Sequence, residues 1–345
     1  MLSTEIFILL CATIFIFAAL LSLLFYLIIR KSIEIKNRKE IEHHKEVFSP
    51  IIFNYIMEGN ISRSLNSKSP LKLKAVEELL KKFFEILEGE HEIKNLATVA
   101  ELHLKDYYSD SLKSRRWSER MNALYHIEDF KMLSLEEEVV NLIKRKTTTK
   151  DEIVIALRTL AAFQYKGLYN LLEGGQISLS DYEYRNILIR LNQLELEQFL
   201  LSFHKVHETL QCAILEVISI RKELHYLGFI ESICKNYRGE VRLRALKALA
   251  SIGYVKDYQI YIPFSQSEKW QERVVVAKLF GTLKESSLIP ILIELLHDSS
   301  WWVRSQAGQS LLLFPNGKKL LQNVLQTSKD PFAKDMAWEW INKGD

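Results

Sequence analysis

The chain has 345 residues, with 46 Lys+Arg against 43 Asp+Glu and a formal net charge of +3. A balance this close excludes a nucleic-acid binder that relies on one dominant basic face. Three cysteines in this length do not make a secreted disulfide framework, and Cys212 and Cys234 sit in apolar helical settings that suit buried thiols.

The first element is an uncharged run of 24 residues, 6–29. As a helix it reaches about 36 Å, more than the roughly 30 Å hydrocarbon core of a bilayer. A cleaved signal peptide would show a basic start, a shorter apolar core and small residues before the cut. Here the leading residues carry only Glu5, and the run closes on Phe25, Tyr26, Leu27, Ile28 and Ile29. The expectation is one uncleaved spanning helix, with residues 1–29 as the anchor. The basic residues Arg30, Lys31, Lys36, Arg38 and Lys39 all follow it. The positive-inside rule then puts the N-terminus outside and the large domain in the cytoplasm, as a single-pass protein of the inner (plasma) membrane. Those residues can also touch anionic headgroups, although Glu34, Glu40, Glu42 and Glu46 are interleaved with them.

Residues 30–46 read as a basic helical stalk. Its apolar Ile33, Ile35 and Ile41 are too few for a sustained heptad, which argues against a coiled-coil dimer. Residues 47–109 read as an N-terminal helical cap, with helices near 48–58, 71–87 and 93–107 and a polar loop over 61–70.

From residue 110 to 345 the chain repeats itself with a period of about 31 residues. One position can be walked through Arg120, Ile153, Tyr184, Gln211, Arg242, Arg273, Arg304 and Lys334, at spacings of 33, 31, 27, 31, 31, 31 and 30. Apolar or small residues follow it at offsets of three, four and seven, as in Ala156, Leu157 and Leu160. Second helices are expected at 229–233, 260–264 and 291–295, which also recur at 31.

Asp298, Trp301, Trp302, Val303, Arg304 and Ala307, with Glu240, Val241, Arg242 and Ala245, carry a resemblance to the HEAT-like repeat family, of the short bacterial type first recognised in phycobilisome lyases. The pattern departs from the family over 150–235, where Ile153, Tyr184 and Gln211 replace the arginine. The resemblance implies an all-α chain: one transmembrane helix, then an α-solenoid of helix pairs wound as a right-handed superhelix. It also implies that Arg120, Arg242, Arg273 and Arg304 form a structural ladder, each pairing with an acidic residue of the adjoining unit; Asp298 and Glu240 are the nearby candidates.

Trp117, Trp270 and Trp301 open the same helix in three repeats, and Trp302 is a further ring outside the repeat pattern. Aromatic anchors are frequent binding hot spots, so Trp302 and Trp301 are the candidate partner-binding residues. His91-Glu92 and His207-Glu208 are the His-Glu pairs, too few for the di-iron centre of a related hydroxylase family. No Gly-rich phosphate loop, nucleophile elbow, zinc-spaced cluster or chromophore site is present, so no catalytic, cofactor or metal residue is assigned. The expected function is a non-catalytic membrane-tethered scaffold or adaptor for a membrane-associated protein. Family resemblance suggests an accessory subunit of a membrane glycosyltransferase or polysaccharide export system. A lipid-surface or small-molecule-binding regulator is the alternative, and an enzyme of lyase or hydroxylase type the remote one.

Overall fold

A computed structural model describes residues 4–59, 65, 69–174 and 177–343. Among them the chain is all helix and turn, arranged as solenoid-like helix pairs, in two compact units, Met1–Tyr165 and Lys166–Asp345. The polar loop expected over 61–70 lies outside the described residues except for Leu65, Ser69 and Pro70.

Unit 1 begins with α1, Thr4–Glu58, one helix of 55 residues. The helix breaks at neither of the boundaries expected at 29/30 and 46/47. The change from apolar to charged residues there marks a change of solvent, and the chain has neither Gly nor Pro before Pro50 to interrupt it. Side chains 6–36 are exposed, and the first buried one is Ile41. From there Ile41, Phe48, Ile52, Tyr55 and Ile56 form one buried stripe. Its companions are Ala75, Val76, Leu79 and Leu80 of α2, Pro70–Ile86, and Leu96, Val99, Ala100 and Leu104 of α3, Glu90–Lys113. The expected stalk is thus not free over its length: Arg38 already pairs with Glu78 of α2, and from Ile41 on α1 belongs to the folded core.

Ion pairs fix the helix directions. Arg38 and Lys45 both reach Glu78, at 2.7 and 3.1 Å, and the Phe53 ring lies 6.2 Å from Phe83, so α2 runs the same way as α1. α3 runs back: Asn95 donates to the Ile56 carbonyl at 2.8 Å near its start, and Tyr108 donates to Glu77 at 2.8 Å further along. Unit 1 continues with α4, Trp117–Asp129, α5, Glu136–Ile143, and α6, Lys150–Ala162.

Unit 2 holds α7, Leu168–Glu173, α8, Asp181–Leu188, α9, Gln193–Leu201, α10, Glu208–Arg221, α11, Leu227–Asn236, and α12, Gly239–Ile252. A 3-10 helix, Tyr258–Gln266, follows, then α13, Trp270–Leu283, α14, Ile289–Leu295, α15, Trp301–Leu312, α16, Gly317–Thr327, and α17, Pro331–Asn342. The element expected at 260–264 is 3-10 and not α; Pro263 inside it has no N–H for an α-helical bond.

All eight positions of the period, from Arg120 to Lys334, are the fourth residue of their helix, including Ile153, Tyr184 and Gln211. Eleven residues beyond, Lys131, Gln164, Lys222, Gly253 and Lys284 each take a left-handed conformation, with φ between 51° and 74°. In these five repeats the period therefore fixes both where a helix gains its core side chains and where it stops.

Candidate functional site

The ladder is built by the helix starts. Arg120 reaches Glu152 of the next repeat, whose side chain is wholly buried, and Arg242 reaches Glu272 at 2.8 Å. In both rungs the acid directly precedes the next position of the period. Arg273 departs from this rule, because Val303 stands there; it grips Asp298 instead, Nε to Oδ2 at 2.6 Å and Nη2 to Oδ1 at 2.8 Å. Arg304 ends the run. Its Nη1 donates to the Asp298 and Ser299 carbonyls, its plane lies 5.1 Å over Phe332, and its Nε is buried with no partner. Glu240, expected in the ladder, instead pairs with Arg244 one turn along α12, at 2.8 Å.

Electrostatics follows the geometry. Burial alone would raise the Glu152 carboxyl; the hydrogen bond from Arg120, those within the Thr149 cap and the Arg120 charge outweigh it and hold the group below its ordinary value. Asp298 behaves alike: burial raises it, and Arg273, the Ser300 amide and the Arg304 charge bring it below its usual range. In the repeats without arginine, other chemistry takes the place. The Gln211 amide donates to the Phe203 carbonyl at 2.8 Å, and Tyr184 lies 3.1 Å from His207. His207 caps α10 by accepting the Leu210 amide on Nδ1, which leaves Nε2 as the protonated nitrogen of the neutral ring, donating to Tyr184. Nothing in the His-Glu pattern announced that cap; its position four residues before the period's marker did.

The tryptophans make a different arrangement. Trp302 is 60% exposed, stacks on Trp270 at 6.4 Å with 21° between the planes, and meets Trp301 edge-on at 4.9 Å. Trp270 and Trp301 are themselves 39% and 47% exposed. Three rings from the starts of α13 and α15 thus form one open aromatic edge. Sequence reasoning proposed Trp301 and Trp302 but missed Trp270 as their partner, since only packing brings residues 32 positions apart face to face. Trp117, at the same repeat position in unit 1, donates from its indole N–H to Thr149 Oγ at 3.2 Å.

One face of α10, α12 and α13 lines a groove of about 420 Å³ with Glu216, Arg244, Lys247, Val274 and Lys278. Arg244 is held there by Glu216 and Asp181, at 2.9 and 3.3 Å. Burial pushes the Cys212 thiol up to about 11 and raises Cys234 as well, so both are unreactive packing groups. Among the described residues no three His, Cys, Asp or Glu side chains converge on a common point.

Of the juxtamembrane cations, Arg38 is engaged with Glu78 and Glu42, and Lys31 with Glu34 at 3.2 Å. Arg30, Lys36 and Lys39 have no carboxylate partner among the described residues.

Residues 288–313, which contain α14 and α15, match the family described as HEAT repeat. One helix pair of the array is thus HEAT-like in sequence. No curated protein matches the sequence. Two solved structures, each described as the crystal structure of an engineered protein, are similar to parts of it. One is 13% identical over 81% of this chain and 96% of its own, with a TM-score of 0.39; the other is 14% identical over 77% and 94%, with a TM-score of 0.22. At those TM-scores neither superposition bears on the site. Stacked repeats of this kind expose long continuous surfaces.

Proposed function

We propose that this chain is a non-catalytic scaffold, tethered by residues 6–29 with its N-terminus outside, that binds a membrane-associated protein through Trp270, Trp301 and Trp302. The observation that carries the reading is the exposed aromatic edge. Trp302 stacks on Trp270 and meets Trp301 edge-on, yet stays 60% open to solvent, where core packing would have covered it. Aromatic residues of this kind dominate binding energies when a partner desolvates them. The tether is supported by an apolar segment long enough to cross a bilayer and by the one-sided basic flank. Tethering raises the effective concentration of the edge beside other membrane proteins. The resemblance to membrane-anchored HEAT-like proteins makes processive glycosyltransferases the first partners to test.

The test uses the full-length chain in native membranes with a photo-crosslinking residue in place of Trp270. A single integral-membrane protein should be cross-linked and then lost in a Trp301→Ala, Trp302→Ala variant that melts at an unchanged temperature. Equal cross-linking by that variant would assign the partner to another surface.

A further inference from the structure

Unit 1 has a polarity that neither the sequence nor the aromatic edge of unit 2 reveals. The start of α2 lies beside the membrane-proximal end of α1, since Leu71 sits among Lys31, Ile35, Arg38 and Ile41. α3 returns toward the same level, bringing Lys113 and Asp110 beside Pro70. α4 then runs away from it: His126 Nε2 lies 3.6 Å from Glu77, next to the Glu78 that holds Arg38 and Lys45. Trp117 precedes His126 by nine residues, about 13 Å of helix. It therefore stands level with the first turns of α1 that follow Ile29.

The same edge carries two loops, 113–116 and 144–149, tied together. Arg145 donates to the Leu112 carbonyl at 3.0 Å, and Trp117 to Thr149 at 3.2 Å. Their exposed side chains are Lys113, Arg115, Arg116, Lys144 and Lys146, set around the half-exposed Trp117. Arg116 pairs with Glu119, while Arg115, Lys144 and Lys146 have no carboxylate partner among the described residues. Asp110 and Glu119 accompany the cations at this edge, and the cations outnumber them. A chain of nearly balanced charge thus carries a locally cationic rim on the side of the span.

We infer that the rim formed by Arg115, Lys144, Lys146 and Trp117 docks on anionic lipid headgroups, so that unit 1 lies against the bilayer and does not swing on a free stalk. This rests on the membrane-spanning reading above. Free cations at headgroup level gain from an anionic surface, and tryptophan is the side chain enriched at that interface. The rigid continuity of α1 places the rim there without any further hinge.

The test uses the full-length chain with Cys11→Ala and Ser118→Cys, leaving one accessible thiol for a fluorophore, since Cys212 and Cys234 are buried. It is reconstituted in vesicles of phosphatidylcholine alone, or of equal parts phosphatidylcholine and phosphatidylglycerol, each doped with a headgroup nitroxide lipid. Quenching should be several-fold stronger in the anionic vesicles. The difference should vanish in high salt and in a triple variant, Arg115→Glu, Lys144→Glu, Lys146→Glu, with an unchanged melting temperature. Equal quenching in both compositions, or a triple variant like the parent, overturns the inference and turns attention to an acidic protein loop as the occupant. Alkaline carbonate separates this failure from that of the span. A chain retained in the vesicles with lipid-independent quenching keeps its anchor and loses the rim; a chain released by carbonate loses both.

Discussion

Arg273 grips Asp298 with two parallel hydrogen bonds, of 2.6 and 2.8 Å, between side chains only 14% and 8% exposed. The pair joins α13 to the turn before α15, and the Arg273 Nη1 also donates to the Ser267 carbonyl at 2.7 Å. Removing the guanidinium leaves a partly buried carboxylate that keeps only the Ser300 amide. Arg273→Ala should therefore destabilise the protein by about 2 kcal/mol, below the full cost of an orphaned buried charge because some solvent reaches the site. The variant should also respond less to acid. Asp298 is held below its ordinary 3.8 in the folded state, so its contribution is full above that value and fades as the pH falls through the folded value. A melting series from neutral pH to about pH 3 reads both effects; an Arg273→Ala protein with unchanged stability would refute the structural role.

The Arg242–Glu272 rung is more buried, at 11% and 1% exposure. Glu272 also accepts from Ser267 Oγ at 2.6 Å. Losing either partner of such a pair costs about 3 kcal/mol, whereas replacing both with apolar groups of similar size can be nearly neutral. Arg242→Met and Glu272→Leu should each lower stability strongly, and the double variant should recover at least half of the summed loss. Denaturant melts of the four proteins close the cycle; simple additivity would mean the two side chains act independently.

Much of this was legible in the sequence, and the exceptions have physical reasons. The period placed the start of one helix in each of its eight repeats, even over 150–235, because apolar residues at offsets of three, four and seven persist where the arginine does not. The identity of the rungs was partly legible: Glu152 and Glu272 each directly precede a marker of the period, a signal that reasoning from proximity to Glu240 passed over. The continuity of α1 was not, because a hydropathy boundary reports the solvent around a helix and not its end. The stack of Trp302 on Trp270 and the cationic rim of unit 1 arise from packing between repeats, which a linear pattern does not contain.

The recurring left-handed residue offers a stabilising substitution. Gly253 occupies it with φ 74°, and Lys284 occupies the equivalent place with φ 58° and caps α13 by donating to the Phe280 carbonyl. A side chain in that conformation costs about 1–2 kcal/mol, more than the roughly 0.5–1 kcal/mol that glycine loses in unfolded-chain entropy. Lys284→Gly should therefore gain about 0.5–1 kcal/mol. Gly253→Ala should do the opposite, since its Cβ would stand 2.7 Å from Thr282 Cγ2. Paired thermal melts decide it, and a destabilised Lys284→Gly protein would mean that the lysine side chain matters more than its backbone.

His126 sets an acid limit on unit 1. Its ring stacks between Tyr108 and Phe130, at 5.9 and 5.7 Å, with Nδ1 buried and unpartnered. Burial lowers its pKa below 6.5 and outweighs the pull of the Glu77 carboxylate, Lys74 and Lys81 acting in the same direction as burial and Asp129 against it. The folded protein holds the ring neutral while the unfolded chain protonates it near 6.5, so the unfolded state binds more protons over the interval below that value. Stability from this site is full above 6.5 and declines as the pH drops toward the folded value. His103, also lowered by burial, adds a slope of the same sign. His126→Phe keeps the aromatic stack and removes the titration, so its melting temperature should vary less between pH 7 and about pH 5 than that of the parent. Identical pH profiles would show that folding leaves the titration of the ring unshifted, and a parent that gains stability on acidification relative to the variant would show the ring protonated against Glu77.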